Sequence, residues 1–560
     1  MNLERARTLF IESLTYHESG DFPRAEALLR QAFELAPERV SIASNLCGAL
    51  LVQGKYGEAL PFAELACRLD PDGPLGWDHA ALCHEYAGNW LEALQCLDRA
   101  LALGAEGEFQ QRRIEALLAL GRREEVCSML EALCAAGKAK AEDFLRLAGI
   151  QFEQGEVARA LGNAGRALER DPSCVPAALM CAEALLRLDR PAEAREAAVR
   201  ATEYAPESWQ AWFHLGNARV ECGDTDGALL AFDHALLLSG DDPAAYRLRW
   251  NRTLALLQSG DYSRGWPAFE CRWARPEASK QMWPDSPRWL GGEPLAGRTL
   301  LFVSEQGLGD TIQFCRYAPV LAAKGARILL WVEPALVNLL SGTPGVTGVH
   351  SKALPAPTHD CHIPVMSLPL ACGMTLDNLP PPAALQVNDL SDRHWNGFLS
   401  MLGHPRIGLV WSGNPAHIND HARSMALSAL KPLFGLRADF VSLQKEVREA
   451  DRAELPGLAM LDVSAQLHDL ADTAAVIANL DLVISVDTSV AHLAASLGKP
   501  VWLLLPHVAE WRWLKGREDS PWYPSMRLFR QTAPGDWAGL IHQVREALQM
   551  ARGDFSGPVR

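Results

Sequence analysis

A period of 34 residues governs the first 270 positions of the chain. Gly20-Asp21-Phe22 is followed by Ala25, Ala32 and Pro37. Thirty-four residues on stand Gly54-Lys55-Tyr56, Ala59, Ala66 and Pro71; another thirty-four bring Gly88-Asn89-Trp90, Ala93 and Ala100, with Trp77 earlier in that unit. Gly155, Ala160, Ala167 and Pro172 repeat the pattern, as do Asp189, Ala194, Ala201 and Pro206, then Trp212, Leu215, Gly216, Gly223, Ala228, Phe232 and Ala235. The unit around Gly121 keeps the spacing and loses the small residues, and Gly260-Asp261-Tyr262 opens a last, atypical unit ending near Trp273. A unit this short cannot bury an apolar face alone, so such units stack. Alanines let two antiparallel helices approach, the large residue after the turn glycine fills the gap, and proline stops the second helix. The pattern predicts a helical superhelix over 1–275 with a concave groove. By analogy with other repeat arrays the groove holds a peptide or protein, the alternative being that the array only scaffolds the second half. No regular Asn ladder runs along the repeats, so the groove contacts are not named.

The composition then changes. Residues 276–295 are rich in Pro, Gly and Trp and read as a connector. Short β-branched apolar runs follow at 299–304, 327–332, 346–350 and 361–365. After Pro380-Pro381-Pro382 a second set lies at 407–412, 440–443, 482–487, 501–505 and 526–530. Apolar runs separated by helical stretches imply parallel sheets covered on both faces. The expected fold class is α + α/β, with two nucleotide-binding-type domains at 296–385 and 400–560. A ligand site is expected at the carboxyl ends of the strands.

Charge narrows the partners. Lys and Arg total 53 against 68 Asp and Glu, a net charge of −15 over 560 residues. That argues against a general nucleic-acid coat. No run of 18 apolar residues occurs, so no transmembrane segment is expected, and the first residues do not read as a secretory signal. The 13 Cys include no Cys-x-x-Cys pair; they read as reduced, buried thiols of a cytoplasmic protein. Residues 290–560 hold no Asp-x-Asp, and their His show no ligand spacing, so neither a metal nor a resident cofactor is expected.

Five segments carry candidate chemistry. In Ser304-Glu305-Gln306-Gly307-Leu308-Gly309-Asp310-Thr311, a strand ends in a glycine turn that opens a helix. Ile312 stands where a dinucleotide fingerprint needs a third small residue, although Glu333 after the next strand suits a ribose contact. Asp310 reads either as half of a capping box with Gln313 or as an unpaired general base. In the second segment a strand ends at Asp487, and Thr488, Ser489 and His492 begin a helix able to donate to a diphosphate. The plain alternative is N-capping by Asp487 or Thr488 with His492 half buried. Third, Ser412-Gly413-Asn414 precedes a polar stretch with His421, Arg423 and Ser424; Arg423 suits either a phosphate or solvent. Fourth, Lys445 after Gln444 faces either a donor or water. Fifth, Trp511-Arg512-Trp513 and Trp522-Tyr523 either stack a ring or pack a core.

The repeats resemble the tetratricopeptide repeat family. GLGD, VWSGN, LQK and VDTSVAHLAASLGKPVW, in this order, resemble the heptosyltransferase-like branch of the GT-B glycosyltransferases over about 296–550. The layout is similar to bacterial proteins that fuse such repeats to a glycosyltransferase, a group that includes flagellin glycosyltransferases acting on Ser or Thr. The resemblance implies a nucleotide-sugar donor and Asp310 as catalytic base in the Gln306, Gly307, Gly309 loop. Asp487, Thr488, Ser489, His492, Ser412 and Asn414 would face the donor, with Arg423 and Lys445 aligned less closely. The first sheet domain, about 90 residues, is shorter than in heptosyltransferases, so the repeats are expected to supply the acceptor platform. The mechanism expected is metal-independent transfer to a protein hydroxyl. The alternatives are a repeat adaptor that binds nucleotide without turnover, a lipid or lipopolysaccharide glycosyltransferase, and a dinucleotide oxidoreductase.

Overall fold

The computed structural model describes residues 2–105, 107–274, 283–417 and 419–551. The last position of the expected repeat array with the first part of the expected connector, 275–282, and the end of the expected last domain, 552–560, lie outside the described residues. The chain forms two compact units that divide between Met180 and Cys181.

The first unit is made of paired helices, among them Phe22–Leu35, Val40–Val52, Tyr56–Leu69, Pro74–Tyr86 and Trp90–Ala102. Each turn within a pair needs a left-handed residue, and Gly54 supplies it at φ +73°. The Asp after the turn glycine has a local job. Asp21 accepts from the backbone N–H of Arg24 at 3.2 Å and so caps the next helix. Ala25, Ala59 and Ala93 are fully buried where the paired helices meet. Trp77 donates its indole N–H to the Pro71 carbonyl at 3.0 Å, tying one repeat to the next.

The second unit begins with further repeats. Trp212 donates to the Pro206 carbonyl at 2.8 Å, as Trp77 does to Pro71. Asp189, at φ +54°, takes the place of the turn glycine. The helices Tyr246–Ser259 and Tyr262–Phe269 end the array. Beyond them come two parallel sheets. The first holds β1 (Thr299–Val303), β2 (Arg327–Val332), β3 (Val346–Ser351) and β4 (Cys361–Pro364) in the order β3-β2-β1-β4. The second holds β5 (Arg406–Val410), β6 (Asp439–Ser442), β7 (Met460–Asp462), β8 (Leu482–Val486), β9 (Val501–Leu505) and β10 (Met526–Arg530) in the order β10-β9-β8-β5-β6-β7. β8 and β9 are buried at every residue, which is why they read as unbroken apolar runs. β7 is a three-residue edge strand whose sequence shows no such run.

The strand order places a crevice. From β5 the chain winds outward through β6 and β7, then returns to β8 on the other side of β5. The carboxyl ends of β5 and β8 therefore flank a topological switch point, and β1 and β4 flank another in the smaller sheet.

The expected domain limit at 275 does not coincide with the structural one, and packing gives the reason. Trp266, 1% exposed, meets Phe314 at 6.2 Å and Trp511 at 5.3 Å between ring centres; Tyr262 meets Trp522 at 5.9 Å. Gln258 donates to the Ala509 carbonyl at 2.8 Å. The last repeats share one core with the sheets, so they cannot separate from them as an independent body.

Candidate functional site

The turn after β1 is held from several sides. Gln306 takes a left-handed φ of +60°. Gly307 donates its N–H to Asp310 Oδ2 at 2.6 Å, so Asp310 closes the first turn of the helix Leu308–Phe314. The other Asp310 oxygen binds the Arg512 guanidinium. Two expectations change here. The capping partner of Asp310 is Gly307, and Gln313 instead accepts from Arg512 Nε at 2.5 Å. Nor is Asp310 unpaired, because a carboxylate 16% exposed beside a guanidinium 8% exposed forms an ion pair.

Gly309 brings the two sheets' loops together. A β-carbon there would lie 2.8 Å from His492 Cδ2 and 3.4 Å from Ser489 Cα. The glycine turn after β1 thus lies directly against the start of the helix Ser489–Ser496, which follows β8. Thr488 is its N-cap residue, and the Thr488 side chain makes no capping hydrogen bond. Asp487 does not cap it either, since its Oδ2 accepts from Trp513 Nε1 at 2.8 Å. The Thr488 hydroxyl stands 3.2 Å from Ser485 Oγ. The helix start therefore retains its positive end for an anion.

His492 is 5% exposed rather than half buried, and its Nδ1 lies 3.0 Å from the Tyr523 hydroxyl. Burial, with Arg512 and Arg316 adding to it, holds the ring well below its ordinary value, so it is neutral. Its Nε2 is 3.9 Å from Asp487 Oδ1. Burial also pushes the Asp487 carboxyl up, against the pull of Trp513, Arg512 and Arg423.

At the end of β5, Gln444 acts as a staple. Its Oε1 accepts from Trp411 N at 3.2 Å and Ser412 N at 3.1 Å, and its Nε2 donates to the Ser412 carbonyl at 3.0 Å. Ser412 Oγ is buried with no hydrogen-bond partner among the described residues. Arg423 is no solvated loop cation. It lies over Gly413 and donates to the Asp487 carbonyl at 3.2 Å, bridging the ends of β5 and β8. Asn414 is exposed and accepts from Ala416 N at 2.9 Å, a turn-forming bond. Lys445 is exposed and donates to the Leu467 carbonyl and, at 3.4 Å, to that of Ser464, so it lies along the loop after β7.

Two residues stand in this cluster to which sequence reading assigned no role of their own, Arg512 within the aromatic segment and Glu510 beside it. Arg512 donates to Asp310, Gln313 and Glu510 at once. Glu510 is pushed up to about 8, first by burial and then by Asp487 and Asp310, with Arg512 opposing. Trp511, Trp513, Trp522 and Tyr523 are all buried, which makes them core rather than a stacking platform.

The arrangement defines a class: a helical repeat array joined to two parallel-sheet domains whose glycine turn and helix start meet at the carboxyl ends of their strands. Residues 13–74, 145–200 and 179–240 match the tetratricopeptide repeat family, and residues 442–504 match glycosyltransferase family 9 (heptosyltransferase). The chain thus joins tetratricopeptide repeats to a family 9 glycosyltransferase domain. The family 9 match runs from the end of β6 through β8 and the Ser489–Ser496 helix to β9. Protein FlbA of Caulobacter vibrioides is 27% identical over 448 residues, covering 68% of this chain and 73% of that protein. The DnaJ homolog subfamily C member 7 of Homo sapiens is 25% identical over 193 residues, covering 34% of this chain and 35% of its own length. Among solved structures, YrrB, described as a TPR protein with an unusual peptide-binding site, aligns at 18% identity and a TM-score of 0.23, covering 40% of this chain and 97% of that one. No described helix is long and apolar enough to cross a membrane. Among the described residues, no group of three or more His, Cys, Asp or Glu is placed to hold a metal ion.

Proposed function

We propose that this chain moves a sugar from a nucleotide-sugar donor to a hydroxyl of a protein acceptor brought by the repeats. The observation that carries the reading is the contact of the Gly307–Asp310 turn with the uncapped start of the Ser489–Ser496 helix. In this reading the two sheets form a GT-B pair of lobes. The donor diphosphate lies on the backbone N–H groups of Ser489 and Val490, with Ser412 Oγ and Arg423 as further donors. The acceptor oxygen attacks the anomeric carbon, the bond from that carbon to the phosphate oxygen breaks, and the acceptor proton passes to Asp310. Arg423 and the helix dipole offset the charge that develops on the leaving nucleoside diphosphate, so the step is proposed to run without a metal. His492, neutral and buried with its Nδ1 on the Tyr523 hydroxyl, packs the glycine turn at Gly309 rather than binding phosphate, while Trp513 holds Asp487. Flagellin is the candidate acceptor that the sequence resemblance names, and the proposed setting is the cytoplasm.

Intact-mass analysis of proteins co-expressed with and without the chain tests the reading. A carrier that gains a fixed hexose- or nonulose-like mass only in the presence of the chain supports it. No mass change on any co-expressed protein, together with turnover on a lipid acceptor, counts against a protein acceptor. One observation favours a second reading, that of a nucleotide-binding adaptor without turnover: both Asp310 oxygens are already engaged. Nucleoside diphosphate binding with no transfer from any tested donor would select it.

A further inference from the structure

The last repeat turn and the glycine turn after β1 share a buried ion pair. Glu305 stands two residues past the end of β1 and its side chain is 3% exposed, a setting in which an unmatched carboxylate is very unfavourable. Every oxygen is matched. Glu305 Oε2 accepts from Arg272 Nε at 3.0 Å, and Oε1 accepts from Arg272 Nη2 at 3.0 Å and from the Met366 backbone N–H at 3.0 Å. Arg272 belongs to the 3-10 turn Glu270–Ala274 that closes the repeat array. It is fixed in its turn by Glu270 Oε1 at 2.5 Å and Ser367 Oγ at 2.6 Å, and it lies over the Trp273 ring at 4.2 Å.

We infer that Arg272 is a positioning residue that sets the Asp310 loop through its bidentate hold on Glu305. The path is short. Glu305 precedes Gln306, whose left-handed φ orients the Gly307 N–H, and that N–H bonds Asp310. A left-handed non-glycine residue persists only when its surroundings hold it there. The planar guanidinium matches the carboxylate at two points, which a lysine ammonium cannot do. The repeats therefore contribute a residue to the placement of the proposed base, beyond any role in holding an acceptor. The inference rests on the transferase reading above for its catalytic consequence, but its structural part stands alone.

The test uses the full chain with Arg272→Met and Arg272→Lys, read by hydrogen–deuterium exchange. Amides 305–310 are expected to exchange about tenfold faster or more in Arg272→Met, with the helix Trp537–Ala551 at wild-type protection, and Arg272→Lys falling between. Unchanged exchange at 305–310, or an equal rise in both segments, overturns the inference. If Arg272→Met does not fold, Glu305→Gln carries the same comparison, because it keeps an acceptor for Met366 N–H and drops the charge. A second arm measures turnover of a panel of UDP-, GDP-, ADP- and CMP-sugars. The expected result is a kcat about 100-fold lower in Arg272→Met with donor KM within about threefold; a change in KM alone overturns the positioning role. A wild-type chain that turns over none of the panel overturns the transferase reading instead, and the exchange arm still decides the clamp.

Discussion

Gly309 sits against the ring of His492, so close that a single added methyl would come within 2.8 Å of Cδ2. The ring has nowhere to go, because it is buried and its Nδ1 lies 3.0 Å from the Tyr523 hydroxyl. Gly309→Ala is expected to destabilise the sheet-bearing unit by about 1–3 kcal/mol, the usual cost of overpacking a tight contact. Urea unfolding followed by tryptophan fluorescence checks this. A midpoint equal to that of the wild type would show that the two turns do not meet.

The Ser412 hydroxyl separates a structural role from a binding one. It is buried without a partner among the described residues, so nothing in the fold depends on it. Removing an unmatched polar group leaves stability nearly unchanged or slightly higher. Ser412→Ala is therefore expected to unfold within about 0.5 kcal/mol of the wild type. A lost hydrogen bond to a charged phosphate is worth about 1.5–3 kcal/mol, so nucleoside diphosphate binding should weaken by about tenfold or more. Calorimetry with UDP, GDP and ADP reads the second effect, and undiminished binding would remove Ser412 from the donor site.

The parts of the molecule legible in the sequence were those written locally. The repeats declare themselves because Gly54, Asp21 and Ala59 each satisfy a turn, a cap or a contact within a few residues. The strands are visible because parallel strands buried on both faces are runs of apolar residues, and β7 escaped because three residues at a sheet edge make no run. The Asp487–His492 segment stood out as a strand end followed by a helix start. What stayed hidden depends on residues distant in the chain. Arg512 reaches Asp310 across 202 positions, and nothing near either residue announces the other. The same holds for Gln258 and Ala509, whose bond spans 251 positions and joins the last repeats to the sheets. Asn251 donates to Asn217 at 2.8 Å, one repeat apart, a pairing too isolated to read as a ladder.

Glu510 makes stability depend on pH with a defined sign. Its carboxyl is pushed up to about 8 from an ordinary 4.5, so across that window the folded chain keeps a proton that the unfolded chain has released. This contribution is complete below pH 4.5 and is lost as the pH rises through 8. Because 37% of the side chain remains open to solvent, the full shift is discounted, to on the order of 1–2 kcal/mol. Glu510→Gln, which cannot ionise, should lose less stability than the wild type between pH 5 and 8. Melting curves that fall in parallel for the two proteins would contradict this.

Asp310→Asn tests the proposed base with little disturbance of its surroundings. The amide keeps the size of the carboxylate, and its oxygen can still accept from the Gly307 N–H that now bonds Oδ2. Arg512 loses one ion-pair partner but retains Gln313 and Glu510. The loop should therefore stay in place, and nucleoside diphosphate affinity should remain within about threefold, since the proposed phosphate donors are Ser412, Arg423 and the Ser489–Ser496 helix start. The proton acceptor is gone, however, and transfer should slow by about 10²–10⁴-fold, the range of general base catalysis. Calorimetry with nucleoside diphosphates and the rate of carrier mass gain read the two quantities separately. A variant that transfers at the wild-type rate would take the base role from Asp310 and leave it as the residue that holds Arg512.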